Sequence, residues 1–195
     1  ALVPRAPCAY NGCAAGWRND SRAAALYKCR ACVQFPTTGG KRKVIRTRLC
    51  DLVGIEHPII QGGMAWVGTA ALAAAVSEAG ALGILGGGNA PPDWVRAQVR
   101  ETKRRTSRPF GLNIPLFTPH LDDVVSICIE EGVRVVATGA GNPAPIIPRL
   151  KEAGILVMPV VASVALAKRL ERMGADVIVA EGMESGGHIG ETSAM

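Results

Sequence analysis

From about residue 45 onward, short apolar runs alternate with amphipathic stretches at a near-constant period. The runs span 58–64, 81–87, 110–116, 134–141, 156–163 and 176–182, and their centres recur every 20–29 residues. Helix-patterned stretches lie between them at 69–79, 93–105, 121–131, 144–153 and 164–173. Four of these stretches end on a glycine, Gly80, Gly132, Gly154 or Gly174, where a left-handed C-cap is needed. Alternation of this kind predicts βαβ units and a parallel sheet. The strand runs are almost continuously apolar, as in Val135-Val136-Ala137, so both faces of the sheet are expected to be covered. The pattern reads as an α/β chain, a TIM (β/α)8 barrel truncated after about six strands. A doubly wound sheet is the rival. Its one supporting motif is Gly139-Ala140-Gly141-Asn142-Pro143-Ala144, which fits G-x-G-x-x-A. The acid that a dinucleotide fold needs about 20 residues on is missing, and the motif follows the fourth strand instead of the first.

Charge divides the chain. The formal net charge is +6, which at face value suggests a nucleic-acid partner. Residues 1–50, however, hold ten Lys/Arg and one acid, whereas 51–195 hold twelve Lys/Arg and fifteen acids. The basic excess therefore belongs to the non-periodic head, and no nucleic-acid partner is expected for the rest. With 48% hydrophobic residues the chain is not wholly disordered. Its longest apolar run, 154–167, contains Pro159 and is too short to span a bilayer, so no membrane partner is expected.

Glycines gather where the strands end: Gly62-Gly63, Gly86-Gly87-Gly88, Gly139 and Gly141, Gly182, then Gly186-Gly187. In a barrel that end carries the active site. Loops need turns, but four of six strand ends with paired or near-paired glycines favour a ligand brought close to backbone N–H groups. Few polar residues share this face. Asn113 is inside the third strand, where it either bonds neighbouring backbone or touches a heteroaromatic ligand. Thr138 ends the fourth strand, and Glu181, at the tip of the sixth, could accept from a ribityl or ribose hydroxyl. Of three histidines, His57 precedes the first strand and reads as structural, and His120 reads as a surface helix start. His188 lies in a glycine-rich loop past the sixth strand, where an imidazole can serve as acid or base. Beyond residue 45 there is no metal-ligand constellation and no readable triad. Cys50 and Cys128 fall on helical segments and read as core. A glycine-rich face with one histidine suits an organic cofactor.

Five blocks carry a resemblance: Pro58-Ile-Ile-Gln-Gly-Gly-Met-Ala-Trp66, Gly86-Gly-Gly-Asn-Ala-Pro91, Pro109-Phe-Gly-Leu-Asn-Ile114, Thr138-Gly-Ala-Gly-Asn-Pro143 and Ala180-Glu-Gly-Met-Glu-Ser-Gly-Gly-His-Ile-Gly190. Residues 45–195 resemble the nitronate monooxygenase (2-nitropropane dioxygenase) superfamily of FMN-dependent TIM barrels, most of all its enoyl-(acyl-carrier-protein) reductase II branch. The resemblance implies that Gly63, Met64, Ala65, Asn113, Thr138, Glu181, Gly186 and Gly187 contact FMN, and that His188 is the catalytic acid or base. It implies hydride transfer from NADH or NADPH through the flavin to a trans-2-enoyl thioester, in fatty acid synthesis, with acyl-carrier-protein thioesters as partners. The alternative activity is oxidation of alkyl nitronates with O2. An inactive fragment is the non-enzyme alternative. The expected location is cytoplasmic, and a homodimer of the full-length protein is left open.

Two departures accompany the resemblance. Six strands stand where a barrel has eight, and the loops after strands seven and eight hold the phosphate in such barrels. The 195-residue stretch alone is therefore expected to hold FMN poorly and to aggregate. Residues 1–43, a basic cysteine-containing leader set apart from the barrel portion at 44–195, have no counterpart in the family. They read as translated upstream sequence, as an Arg-rich targeting peptide, or as a zinc knuckle on Cys8, Cys13, Cys29 and Cys32.

Overall fold

The computed structural model describes residues 45–187, 191 and 193. The expectations for residues 1–43 and for His188 lie outside them. Twelve elements alternate along the described chain: α1 (Arg48–Val53), β1 (Ile60–Gln61), α2 (Ala70–Glu78), β2 (Leu82–Gly86), α3 (Pro92–Arg105), β3 (Phe110–Pro115), α4 (Leu121–Glu130), β4 (Val135–Gly139), α5 (Ile147–Glu152), β5 (Leu156–Val161), α6 (Val164–Arg172) and β6 (Val179–Ala180).

All neighbouring strands pair in parallel, and spatial order equals chain order, β1-β2-β3-β4-β5-β6. A doubly wound sheet reverses direction at a switch point. None occurs among the described residues, so the doubly wound rival falls and the strand order of a (β/α) barrel stands. The sheet curls around one apolar layer and carries helices over another.

Strand alternation sorts the core into those two layers. Leu82, Ile84, Val135, Ala137, Leu156 and Met158 face inward, joined by Ile60, Val177 and Val179. Helix α1 adds Cys50 and Val53 to this inner layer, and Ile55 follows just past its end, so the helix lies at the N-terminal end of the strands. Leu85, Leu112, Ile114, Val136 and Val157 face outward, against Ala73 of α2, Val95 and Val99 of α3, Val125 and Cys128 of α4, and Leu150 of α5. Gly83 lets α2 lie directly on β2: a Cβ there would stand 2.0 Å from the Ala73 carbonyl oxygen.

The glycine stops behave as their sequence positions predict. Gly80, Gly132, Gly154 and Gly174 have φ of 89°, 61°, 72° and 98°. Three elements differ from the sequence reading by as much as three residues at a boundary. β1 and β6 shrink to two residues each, because among the described residues each has a ladder partner on one side only. Helix α5 starts at Ile147 instead of residue 144. Pro143 and Pro145 remove donors there, and the Asn142 side chain accepts from the Ala144 N–H at 3.2 Å, holding a turn.

Candidate functional site

The loops after β1 and β2 meet the end of β3 at Asn113, through Gly63 and Gly87. Its position in β3 is in register with Gly86 of β2 and Ala137 of β4. That register places Asn113 on the inward side, with Ala137. The Gly87 N–H donates to the Asn113 carbonyl at 3.0 Å. A Cβ on Gly63 would stand 2.4 Å from the Asn113 Cβ and 3.1 Å from its Cγ, so Gly63 is closed to any side chain. The structure thus brings together two of the residues singled out from sequence.

Other glycines at the strand ends face open space. Gly62 and Gly139 meet no atom within 4 Å of a built Cβ, and neither do Gly186 and Gly187 in the loop after β6. Met64 and Ala65 continue the loop from Gly63 and are exposed. Glu181, at the tip of β6, is half-buried, and its N–H donates to the Val161 carbonyl at 2.9 Å. Asn113 lies in β3 and Glu181 just past β6, and β4 and β5 separate those two strands.

Thr138 lies differently. It is in register with Ile114 of the outer layer, and its side chain faces the helices at 1% exposure. Its Oγ1 has no hydrogen-bond partner. Among the described residues it is the buried side-chain oxygen left in that state. His57 sits on the N-terminal side, with its N–H bonded to the Gly80 carbonyl at 2.9 Å, and His120 is the N-cap residue of α4. Both match their structural reading. Cys50 and Cys128 are buried as expected, and burial pushes the Cys128 thiol up to about 12, leaving it no thiolate at neutral pH. Among the described residues no group of three or more His, Cys, Asp or Glu could hold a metal, and no helix is long and apolar enough to cross a membrane.

Sequence reasoning missed Gln61. Its Oε1 accepts from the Ile84 N–H at 3.3 Å and its Nε2 donates to the Ile84 carbonyl at 3.2 Å. The side chain thereby acts as extra ladder for a two-residue strand and fixes where Gly62 and Gly63 begin. The sequence signal was a glutamine inside an otherwise apolar strand motif. Two non-glycine residues with positive φ, Trp66 at 64° and Ala140 at 52°, were also missed, and both are in loops at this end.

Comparison with known proteins places this architecture. The family model described as nitronate monooxygenase matches residues 46–195. The solved structure of FabK from Thermotoga maritima superposes with a TM-score of 0.76 at 59% identity, covering 77% of this chain and 48% of that one. A (3aS,4S,5R,7aS)-5-hydroxy-7a-methyl-1-oxo-octahydro-1H-indene-4-carboxyl-CoA dehydrogenase from Mycobacterium tuberculosis is 40% identical over 146 residues, 75% of this chain and 41% of the relative. A nitronate monooxygenase from Paraburkholderia phytofirmans is 34% identical, over 73% of this chain and 50% of its own length. The chain spans about half the length of the relatives it matches.

Proposed function

Because the chain belongs to the nitronate monooxygenase family, we propose that it forms the N-terminal part of an FMN-dependent oxidoreductase that reduces a trans-2-enoyl thioester at the expense of NADH or NADPH. The observation that carries this reading is the packing of Gly63 against Asn113, with Gly62 and Gly139 at the neighbouring strand ends open to any approaching flat surface. A flat ring needs such open backbone, and the carboxamide supplies one donor and one acceptor at its edge. The residues present therefore fit a flavin. When bound, the flavin would supply two-electron hydride transfer between the nicotinamide and the acceptor.

The chain's own groups would do the rest. Gly62 and Gly63 keep side chains away from the ring plane. Met64 and Ala65 wall one margin. Asn113, fixed through its carbonyl by Gly87, would hold the polar edge of the ring. Glu181 would accept from a ribityl hydroxyl, with Gly186 and Gly187 against the same region. Thr138 would contribute through its backbone alone, since its hydroxyl faces the helices. His188 would deliver a proton to the acceptor as enolate character develops beside the thioester carbonyl.

The 59% identity to FabK supports the reductase over the monooxygenase. The second reading, oxidation of alkyl nitronates with O2, is favoured by the family model and by the Paraburkholderia relative. Anaerobic stopped-flow separates them. With NADH present, crotonyl thioester should be consumed stoichiometrically without O2. Turnover of nitronates with O2, and none of crotonyl thioester, would reverse the assignment. A His188→Ala variant should retain flavin and lose at least about a hundredfold in turnover, the usual worth of a positioned proton donor.

A further inference from the structure

We propose that Trp66 selects the apolar chain of the acceptor, with Trp94 as its positioning residue; this rests on the oxidoreductase reading above. The turn after β1 is tight. The Val67 and Gly68 N–H groups both donate to the Met64 carbonyl, at 3.2 and 2.7 Å. The turn is also laid backbone to backbone on the tip of β2. The Gly86 N–H donates to the Gly68 carbonyl at 2.8 Å, and a Cβ on Gly86 would stand 2.1 Å from the Met64 carbonyl oxygen. A Cβ on Gly68 would stand 2.9 Å from the Gly86 nitrogen. Both positions are closed to side chains, so the path of the turn is fixed from two sides.

On that path Trp66 takes φ of 64°, a conformation in which a bulky L-residue is strained. Glycine takes that angle without the steric penalty. The indole is also not spent on the core, since Trp66 is 63% exposed. It meets the Trp94 ring edge to face, with centroids 5.7 Å apart and planes at 61°. Trp94 belongs to α3 and packs on the outer core, so the support is rigid. Met64 and Val67 flank it in sequence and are themselves exposed. Strain kept in a side chain that packs on one ring and otherwise faces solvent, at an exposed apolar patch beside the proposed flavin site, points to a ligand contact. An indole there would take an aliphatic chain by dispersion and desolvation, and would give a small polar acceptor nothing.

Two measurements test this. Trp17, Trp66 and Trp94 are the tryptophans of the chain. In a Trp17→Phe protein that keeps Trp94, indole emission should be quenched by a decanoyl thioester brominated near its chain end and not by the unbrominated compound, and adding Trp66→Phe should remove most of that quenching. Absence of quenching overturns the proposal. Calorimetric affinities for saturated thioesters from butanoyl to dodecanoyl should tighten with length in the unmodified protein. In Trp66→Gly, which the backbone accommodates, that slope should flatten by about tenfold at the longest chain, as for loss of an aromatic anchor. Trp66→Phe should keep most of it. The melting temperature of Trp66→Gly should be unchanged or higher, which separates the loss from unfolding. A retained slope, or a changed oligomeric state with the slope intact, overturns the inference and assigns the indole to a protein contact. A Trp66-dependent slope with no reduction of enoyl thioesters would instead sink the functional reading and leave this one standing.

Discussion

At single residues, the tightest constraint is Gly63. A methyl group there would overlap the Asn113 side chain, which a β-strand cannot easily turn aside. Gly63→Ala is expected to destabilise by about 1–3 kcal/mol and to abolish flavin retention, read by thermal melting and by the absorbance spectrum of the purified protein. Thr138 offers the opposite case. Its hydroxyl is buried without a partner, so Thr138→Val should stabilise the fold by about 1 kcal/mol and leave flavin affinity unchanged. A loss of flavin would show that the hydroxyl turns to the ligand. Gly63 and Asn113 were legible in the sequence because a strand-interior asparagine and a glycine pair both violate strand propensity. The helix-facing side of Thr138 was not, since nothing in the chain marks which parity of β4 faces inward.

The elements were legible to within a few residues, and the reason is chemical. Glycine C-caps and apolar runs are local signals, and the left-handed angles at Gly80, Gly132, Gly154 and Gly174 show that each was read correctly. The misses at β1, β6 and α5 came from partners and prolines, which periodicity does not weigh. Gln61 compensates for the brevity of β1. Replacing it with Leu removes both side-chain bonds to Ile84, so we expect a loss of about 1 kcal/mol in chemical denaturation. Helices α3 and α4 are tied through Glu131, which meets Arg100 at 2.8 Å, Arg96 at 3.2 Å and Lys103 at 3.7 Å. The hydrogen bond from Arg100, then that from Arg96, holds the Glu131 carboxyl below its ordinary value of 4.5. A carboxyl depressed in the folded state stabilises above its unfolded pKa and loses that contribution as pH falls through the folded one. The melting temperature should therefore drop as pH goes below about 4.5, and Glu131→Gln should flatten that drop. An unchanged acid limb in the variant would remove Glu131 from the account.

For the whole molecule, the decisive fact is strand order. The sequence could suggest a barrel over a doubly wound sheet but could not exclude the latter, because both are built from the same βαβ units. What separates them is which strand lies beside which, a non-local property. Order β1 to β6 without reversal separates them, and it also gathers the loops after β1, β2 and β3 beside one another. The strand order also bears on the route by which the chain folds. Each new strand docks on the one made just before it, so partners are separated by only about one helix of chain. Contacts of such short sequence separation close small loops and are entropically cheap. A ribosome delivering this chain could therefore lay the sheet down one strand at a time, each arriving at a partner already in place. Pulsed hydrogen exchange on nascent chains should find β2 and β3 protected before β5 has emerged.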